Sequence, residues 1–318
     1  MYTEKEKFIR ALERKPITGR VPHFELVFFL TMEAFSRVHP QQRDFAQYWQ
    51  MSIKERQAVL NDIAEIYVMI ADKYDHSAIF VQPVPGGIED TIEVLTLIKE
   101  KSKGKYFTMM HGDATFGIPD GDGMIDFSYQ IIDSPDELHT EAADRVNNAI
   151  ENAEKLVSCG MLDGFALCSD YCFNTNPFLS PDAFSEFVTP YLARLIKGYR
   201  DMGYYVIKHT DGNIMPILEQ LVQANPHALH SIDPQAGVDI AEVKRLVGDK
   251  VCLIGNVHCG KMQTGTEAEV IESARYALSN GMPGGGYIFS TSNCIYTGMQ
   301  LERYELMLEV WKNEGIYI

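Results

Sequence analysis

Short apolar runs and longer amphipathic segments alternate along most of this chain. The apolar runs are rich in β-branched and aromatic residues and predict eight strands, namely RVPHFELVFF, SAIFVQP, KYFTMMH, DGFALCSD, YYVIKHT, HALHSID, KVCLIGN and GGYIFST. Between them, apolar residues recur at helical spacing, as in the segment that follows Ser180 and ends before Gly203. Strand and helix therefore alternate, and this order predicts a parallel sheet with right-handed helical crossovers.

Eight strand–helix units in 318 residues close most simply into a single (β/α)8 barrel, an α/β fold of the TIM type. The first residues form an amphipathic pattern with Phe8, Ile9 and Leu12 on one helical face. We therefore expect residues 1–20 to be an N-terminal helical extension and residues 21–318 to be one barrel domain, with no linker between them. An open, doubly wound sheet is the alternative.

Composition and charge narrow the classes of function. Apolar residues make up 46% of the chain and the formal net charge is −16, so we expect a well-packed protein without a nucleic-acid or anionic-membrane partner. The N-terminal residues lack the apolar region of a secretory signal, and no apolar run approaches the ~18 residues of a membrane span. The six cysteines lack the spacing of a disulfide framework, which predicts reduced thiols and a cytoplasmic location.

Ionisable and polar residues concentrate at the predicted C-terminal ends of the strands, where barrel enzymes carry their active sites. The residues at these ends are His23, Glu25, His111, Asp113, Asp170, His209, Asp211, Asp233, Asn256, His258, Cys259, Asn293, Cys294 and Tyr296. Buried acids and histidines are costly unless they are paired or bind a metal. Any one of them could be structural, but their concentration at one rim predicts a functional site.

The segment VIKHTDGN carries the most specific signal. His209 and Asp211 are two residues apart, so both side chains point to the same side if the strand continues through Asp211. A neutral imidazole and a carboxylate suit zinc, and a thiolate such as that of Cys294 would complete a three-ligand site with an open position. His258 and Cys259 are a weaker pair, because adjacent residues on a strand point in opposite directions.

The C-terminal half of the chain resembles a known superfamily. The stretches IDPQAGVDIAEVKRLVGDKVCLIGNV and GGGYIFSTSNCI are similar to the C-terminal half of the uroporphyrinogen decarboxylase superfamily. The Gly-Asn after the seventh strand and the glycine-rich entry to the eighth are its clearest marks. The resemblance covers most of the chain, is most specific from about residue 160 to 313, and implies a distorted (β/α)8 barrel.

The decarboxylases of this superfamily carry an Arg-Gln-Ala-Gly-Arg stretch at the first strand, which helps to hold the carboxylates of a tetrapyrrole. Here the corresponding stretch is RVPHFELVFF, in which His23 and Glu25 stand instead. Anionic substrates usually require arginine forks, and only Arg37 and Arg56 are expected near this rim. Tetrapyrrole decarboxylation is therefore kept as an alternative function.

The cobalamin-linked methyltransferases of the superfamily are similar in another way. They bind zinc through a His-x-Cys after strand five and a cysteine after strand eight; His209 and Cys294 match, whereas Asp211 replaces the middle cysteine. This resemblance implies a zinc-dependent methyltransferase that moves a methyl group between a small methylated donor and the cobalamin of a separate corrinoid protein. An oxygen-containing ligand set favours a methoxylated donor over a thiol, because hard ligands leave zinc more electrophilic.

The positions of the remaining rim residues suggest roles for them. The candidate catalytic residues are Asp170, Glu25 and Tyr296, of which the two acids are also candidates for a further metal ligand. The candidate substrate-binding residues are His23, Asp113 and Asn256. The chain has no Asp-x-His-x-x-Gly stretch typical of a cobalamin-binding module, so we expect the corrinoid protein to be a partner. A barrel that binds ligands without catalysis is the third alternative.

Overall fold

A computed structural model describes residues 2–317. In these residues, seven parallel strands form one curled sheet in the order β2-β3-β4-β5-β6-β7-β8, and β1 pairs with β9 in a separate antiparallel ribbon. The strands are β1 (Gly19–Arg20), β2 (Ala78–Val81), β3 (Phe107–His111), β4 (Gly164–Cys168), β5 (Tyr205–His209), β6 (Ala228–His230), β7 (Cys252–Val257), β8 (Tyr287–Thr291) and β9 (Ile316–Tyr317). Spatial order follows chain order, as the alternation of strands and helices predicts.

Helices connect successive strands of the sheet. The α-helices of the described residues are α1 (Glu4–Leu12), α2 (Thr31–Phe35), α3 (Ile53–Lys73), α4 (Gly87–Ser102), α5 (Gly123–Asp133), α6 (Pro135–Val157), α7 (Pro181–Phe187), α8 (Thr189–Asp201), α9 (Leu218–Gln223), α10 (Ile240–Val247), α11 (Cys259–Thr264), α12 (Glu267–Gly281) and α13 (Leu301–Glu314). Ser52 and Thr266 begin α3 and α12 through capping boxes. Within residues 2–317, no helix is both long enough and apolar enough to cross a bilayer.

The first predicted strand does not form a regular strand. Its backbone makes isolated contacts on both sides: Phe289 N donates to Pro22 O at 2.9 Å, and Ser77 N donates to His23 O at 2.6 Å. Phe289 lies in β8 and Ser77 directly precedes β2, so the segment lies between the two edge strands of the sheet. The described residues therefore show a curled sheet of seven regular strands, and the complete eight-stranded barrel of the expectation is not confirmed.

Two side chains account for the irregularity of this segment. Pro22 has no backbone N–H to donate to a ladder. The carboxylate of Glu25 accepts a hydrogen bond from the backbone N–H of Thr291 at 3.2 Å, which occupies a donor that a regular ladder would use. Side-chain bonding of this kind competes with strand pairing, and the local apolar pattern does not reveal it.

Alternate residues of each strand supply two apolar layers. The concave face is filled by apolar side chains, among them Phe80, Met109 and Ile207, while the opposite face packs against the surrounding helices. Helix α1 packs against the concave layer, with the ring of Phe8 4.8 Å from that of Phe107. Helix α1 thus occupies one end of the sheet, and the polar residues lie at the other, at the C-terminal ends of the strands.

The helix expected after Ser180 is two helices. Ser180 caps α7 through Ala183 N, but the helix stops at Phe187 and α8 begins at Thr189. Pro190 explains the break, because proline cannot donate the backbone hydrogen bond that a continuous helix requires and restricts the residue before it. All six cysteines are free thiols, as the sequence predicts.

Candidate metal centre

Three ionisable side chains meet beyond the C-terminal ends of β4 and β5. Asp170, His209 and Asp211 each offer one ligand atom, and these atoms all lie within 4.8 Å of one another. The His209 Nε2 atom is 3.9 Å from the nearer Asp170 oxygen and 3.8 Å from the nearer Asp211 oxygen. Ligands that sit about 2 Å from a zinc ion lie roughly 3–3.5 Å apart, so a small contraction would bring the three atoms onto one cation.

The register of the sheet explains why Asp170 joins the other two. Cys168 in β4 pairs with His209 in β5, so the residues that follow them emerge side by side. The Asp211 N–H then donates to Asp170 Oδ1 at 2.9 Å and joins the two loops. The sequence analysis expected the strand to continue through Asp211. Instead, β5 ends at His209, and the turn at Gly212 (φ +81°) brings Asp211 in.

The Asp211 carboxylate is held on both sides. Ser231 Oγ donates to its Oδ1 at 2.7 Å, and the Asn293 amide donates to its Oδ2. Burial nevertheless raises the pKa of Asp211 to about 7, and the negative charge of Asp170 acts in the same direction. This pocket therefore has an excess of negative charge that a bound cation would neutralise.

His209 presents one ring nitrogen to the two acids. Its other ring nitrogen, Nδ1, lies 2.7 Å from Nδ1 of His230, so one of these atoms donates a hydrogen bond and the other accepts it. Burial lowers the pKa of His209 to about 4, although Asp170 opposes the shift. The imidazole is therefore neutral at neutral pH, which is the form that binds a metal.

Lys208 supports the loop that carries Asp170, and the sequence analysis did not identify it. Its side chain is fully buried, and Nζ donates to Ser169 O at 2.9 Å and to Asp113 Oδ2 at 2.8 Å. The ammonium group also lies 4.1 Å from the centre of the Tyr171 ring. A lysine inside an otherwise apolar strand was the available signal, because such a residue is rarely buried without a charged partner.

Asp113, an expected substrate-binding residue, lies in this ion pair rather than in the three-residue group. Its Oδ1 accepts from Thr115 N at 2.9 Å, and its Oδ2 accepts from Ser169 N at 3.0 Å as well as from Lys208. Burial alone would raise the pKa of Asp113, but the Lys208 charge and the hydrogen bonds from Lys208 and Thr115 together outweigh it and hold the pKa well below its usual range. Both oxygens of this ionised carboxylate are thus used within the protein.

His23, the second expected substrate-binding residue, is also satisfied internally. Its Nδ1 lies 3.0 Å from Phe289 O and its Nε2 lies 3.2 Å from the Tyr304 hydroxyl. The side chain is fully buried against Trp311, and burial lowers the pKa of His23 to about 3. The structure does not bring His23 to the three-residue group.

Glu25 is a buried carboxyl group at the end of β8. It accepts hydrogen bonds from Thr291 Oγ1 at 2.5 Å and Ser290 Oγ at 3.2 Å. Burial outweighs these bonds and raises the pKa of Glu25 to about 8. The carboxyl group is therefore protonated at neutral pH and holds a proton that it is able to donate.

Cys294, the expected third ligand, lies outside the three-residue group. Its side chain is buried, and its backbone carbonyl accepts a weak hydrogen bond from Cys259 Sγ at 3.7 Å. Burial raises the pKa of the Cys294 thiol, and the neighbouring Cys259 and Asp211 act in the same direction. These surroundings therefore disfavour the thiolate form of Cys294.

Tyr296 and Asn256 occupy the same end of the fold. Tyr296 is half-buried, and burial raises the pKa of its hydroxyl, so it remains a neutral donor at physiological pH. The Asn256 amide donates to Ile232 O at 2.8 Å and lines a groove that also contains His258 and Tyr276. Neither residue belongs to the three-residue group.

Comparisons with known proteins agree with this architecture. Residues 131–314, more than half of the chain, match the family model described as uroporphyrinogen decarboxylase (URO-D). A curated uroporphyrinogen decarboxylase from Thioalkalivibrio sulfidiphilus (strain HL-EbGR7) is 26% identical over 148 residues, which is 43% of this chain and 39% of that protein. The match thus spans about two fifths of that relative.

A solved structure, a methyltransferase from Methanosarcina mazei, superposes with a TM-score of 0.75 over 98% of this chain and 99% of that chain, at 16% identity. At this identity the similarity concerns the fold. The superposition shows that the two chains share the same fold over nearly their whole length. The chain belongs to the uroporphyrinogen decarboxylase (URO-D) family.

Proposed function

We propose that this protein is a zinc-dependent methyltransferase that exchanges a methyl group between a small methoxylated compound and the cobalamin of a separate corrinoid protein. The observation that carries this proposal is the convergence of Asp170, His209 and Asp211 at the C-terminal end of the sheet. The sequence resemblance to the cobalamin-linked branch of the superfamily supports it, and so does the fold shared with the Methanosarcina methyltransferase.

The chemistry of the donor set fits a divalent cation. One neutral imidazole nitrogen and two carboxylates are common zinc ligands, and three protein ligands leave a position open for a substrate atom. Burial, together with the charges of neighbouring acids, raises the pKa of Asp211, and a bound cation would favour its ionised form. We propose Asp170, His209 and Asp211 as the ligands, and we propose that Cys294 lies near the metal without being required to hold it.

Zinc, when bound, would act as a Lewis acid on the ether oxygen that loses its methyl group. The reduced cobalamin of the partner would supply the electron pair that accepts the methyl group, and the electron pair of the broken carbon–oxygen bond would stay on the oxygen. Glu25, protonated at neutral pH, is the proposed source of the proton that this oxygen takes up. Tyr296 is the proposed residue that orients the methoxylated compound through its hydroxyl group.

Tetrapyrrole decarboxylation, the activity in the family's name, is less compatible with this site. A substrate with several carboxylates requires cations, whereas two of the three convergent residues here are acids and the third is a neutral imidazole. Arg37, one of two arginines expected near this end, is already engaged by Asp62 and lies 3.6 Å from Glu65. Arg56 lies over the ring of Trp49 beside several acidic side chains.

The test combines metal analysis with two activity assays on the purified protein. We expect about one zinc per chain, and methyl transfer from methoxylated aromatic compounds to free cob(I)alamin. His209→Ala and Asp170→Asn should lose both the zinc and the transfer, while Ser128→Ala, on the exposed surface of α5, should retain both. Uroporphyrinogen turnover in metal-free protein would replace the proposal by decarboxylation, and zinc binding without any turnover would favour a binding barrel.

A further inference from the structure

Two consecutive residues at the end of β6 contact two of the three proposed ligands. His230 Nδ1 lies 2.7 Å from His209 Nδ1, and Ser231 Oγ donates to Asp211 Oδ1 at 2.7 Å. Consecutive side chains on an extended strand point to opposite faces, so a regular strand could not deliver both to one place. The backbone after His230 must therefore leave the extended conformation.

The backbone does so at an energetic cost. Ser231 has φ +92° and Ile232 has φ +49°, values that are uncommon for residues with a Cβ and most unusual for a β-branched one. Strain of this kind persists only where the surroundings impose it. Here β7 provides the constraint: the Asn256 amide donates to Ile232 O at 2.8 Å, and a Cβ on Gly255 would come within 2.7 Å of Ser231 O.

His230 carries a second cost. Its side chain is buried, and its Nε2 has no hydrogen-bond partner among the described residues. An unsatisfied buried polar atom destabilises the folded state, so an apolar side chain would be more favourable for folding alone. The polar contact that His230 does make is the one to His209.

We propose that His230 and Ser231 are positioning residues that orient His209 and Asp211 for metal binding. This inference rests on the proposed function. If His209 donates its Nδ1 proton to His230 Nδ1, the lone pair of His209 Nε2 points toward the acids, and His230 carries its own proton on the unpartnered Nε2. The Ser231 hydroxyl correspondingly fixes one oxygen of Asp211. Partners of this kind commonly fix the tautomer and orientation of metal-binding histidines.

The test measures zinc affinity by competition with a chromogenic chelator, in His230→Leu, His230→Asn and Ser231→Ala. We expect His230→Leu to lose about 10- to 100-fold in affinity, and His230→Asn to stay within about threefold, because the Asn Oδ1 can accept the same proton. Ser231→Ala should lose about tenfold. His76→Leu and Ser77→Ala are matched controls: both positions are buried, and they hydrogen-bond to Tyr304 and Glu4 instead.

A second readout concerns the tautomer itself. In zinc-loaded wild-type protein, the ¹⁵N shifts of His209 should report a proton on Nδ1; a proton on Nε2 would overturn the inference even if His230→Leu failed to fold. Zinc affinity in His230→Leu and Ser231→Ala within twofold of the wild type would also overturn it and leave the proposed function intact. Failure of the wild type to bind zinc would reject the proposed metal centre itself.

Discussion

Replacing Lys208 by methionine tests the support beneath the candidate site. Lys208 and Asp113 form an ion pair in which both side chains are essentially inaccessible, 0% and 1% exposed. Methionine fills a similar volume but removes the charge and the donors to Ser169 O and Leu167 O. Breaking one side of a buried pair leaves the other charge uncompensated, which typically costs about 3–5 kcal/mol.

The local structure explains why the cost should fall in this range. Asp113 keeps the hydrogen bonds from Thr115 and Ser169, so part of its stabilisation survives. Asp113 can also become neutral by taking up a proton. Protonating a carboxyl group with a normal pKa near 4 costs about 4 kcal/mol at pH 7. We therefore expect Lys208→Met to lower the free energy of unfolding by about 3–4 kcal/mol, which for a chain of this length corresponds to a fall in Tm of roughly 4–6 °C.

The stability difference between Lys208→Met and the wild type should depend on pH. In the wild type the pKa of Asp113 is held below its unfolded value, so its contribution is present above about pH 4 and is lost at lower pH. In Lys208→Met the pKa should rise above the unfolded value, so the variant regains stability as the pH falls from 7 to 4. The difference between the two proteins should therefore shrink toward pH 4.

Urea denaturation followed by tryptophan fluorescence measures these differences, with Lys208→Met, Asp113→Asn and the double variant forming a cycle. We expect the double variant to be more stable than Lys208→Met by at least ~2 kcal/mol, because no buried charge is left unpaired. A loss of less than ~1 kcal/mol in Lys208→Met, or a double variant no more stable than it, would refute the argument.

Three further predictions concern individual positions. Glu25→Gln removes a carboxyl group whose pKa is raised to about 8. As the pH rises from 5 to 8, the wild type should lose roughly 1.4 kcal/mol of stability per pH unit relative to this variant. Urea denaturation at several pH values measures this loss, and a difference that does not change with pH would contradict it. Gly164→Ala places a Cβ against the Tyr205 carbonyl of the neighbouring strand and should cost about 1–3 kcal/mol by the same assay, with an unchanged stability as the contrary outcome. Asp170→Asn should lower zinc affinity at least about tenfold and Cys294→Ser less than about threefold in chelator competition, and the reverse order would restore Cys294 as a ligand.

Most of the fold follows from local sequence patterns. The strands β2 to β8 coincide with the seven later apolar runs, because a strand buried on both faces needs a continuous apolar stretch bounded by turn residues. The first apolar run does not form a regular strand for a non-local reason, because the carboxyl group of Glu25 accepts a hydrogen bond from Thr291 on a distant segment. Pro190 was a signal in the sequence for the division between α7 and α8. The continuous apolar stripe after Ser180 nevertheless led to the prediction of a single helix.

The candidate site was only partly readable. His209 and Asp211 are close in sequence, and their convergence was predicted, although the turn at Gly212 brings Asp211 in where a continuing strand was expected. Asp170 was expected at the same rim, but its contact with Asp211 depends on the register between β4 and β5, which one sequence does not reveal. His230 and Lys208 act through contacts with other strands, so their roles appear only when the strands are placed side by side.

The identity of the donors also bears on the substrate. In the resembling methyltransferases a cysteine stands two residues after the histidine, whereas here the position is Asp211, and the third nearby group is another carboxylate, Asp170. Thiolates donate more charge to zinc than carboxylates do, so a set with two oxygen ligands leaves the metal a stronger Lewis acid. A stronger Lewis acid assists the departure of an oxygen leaving group more than the formation of a zinc-bound thiolate. Under the proposed function, this donor set would favour an oxygen-bound methyl group over a sulfur-bound one, and comparing methyl transfer from matched aryl methyl ethers and thioethers would decide between them.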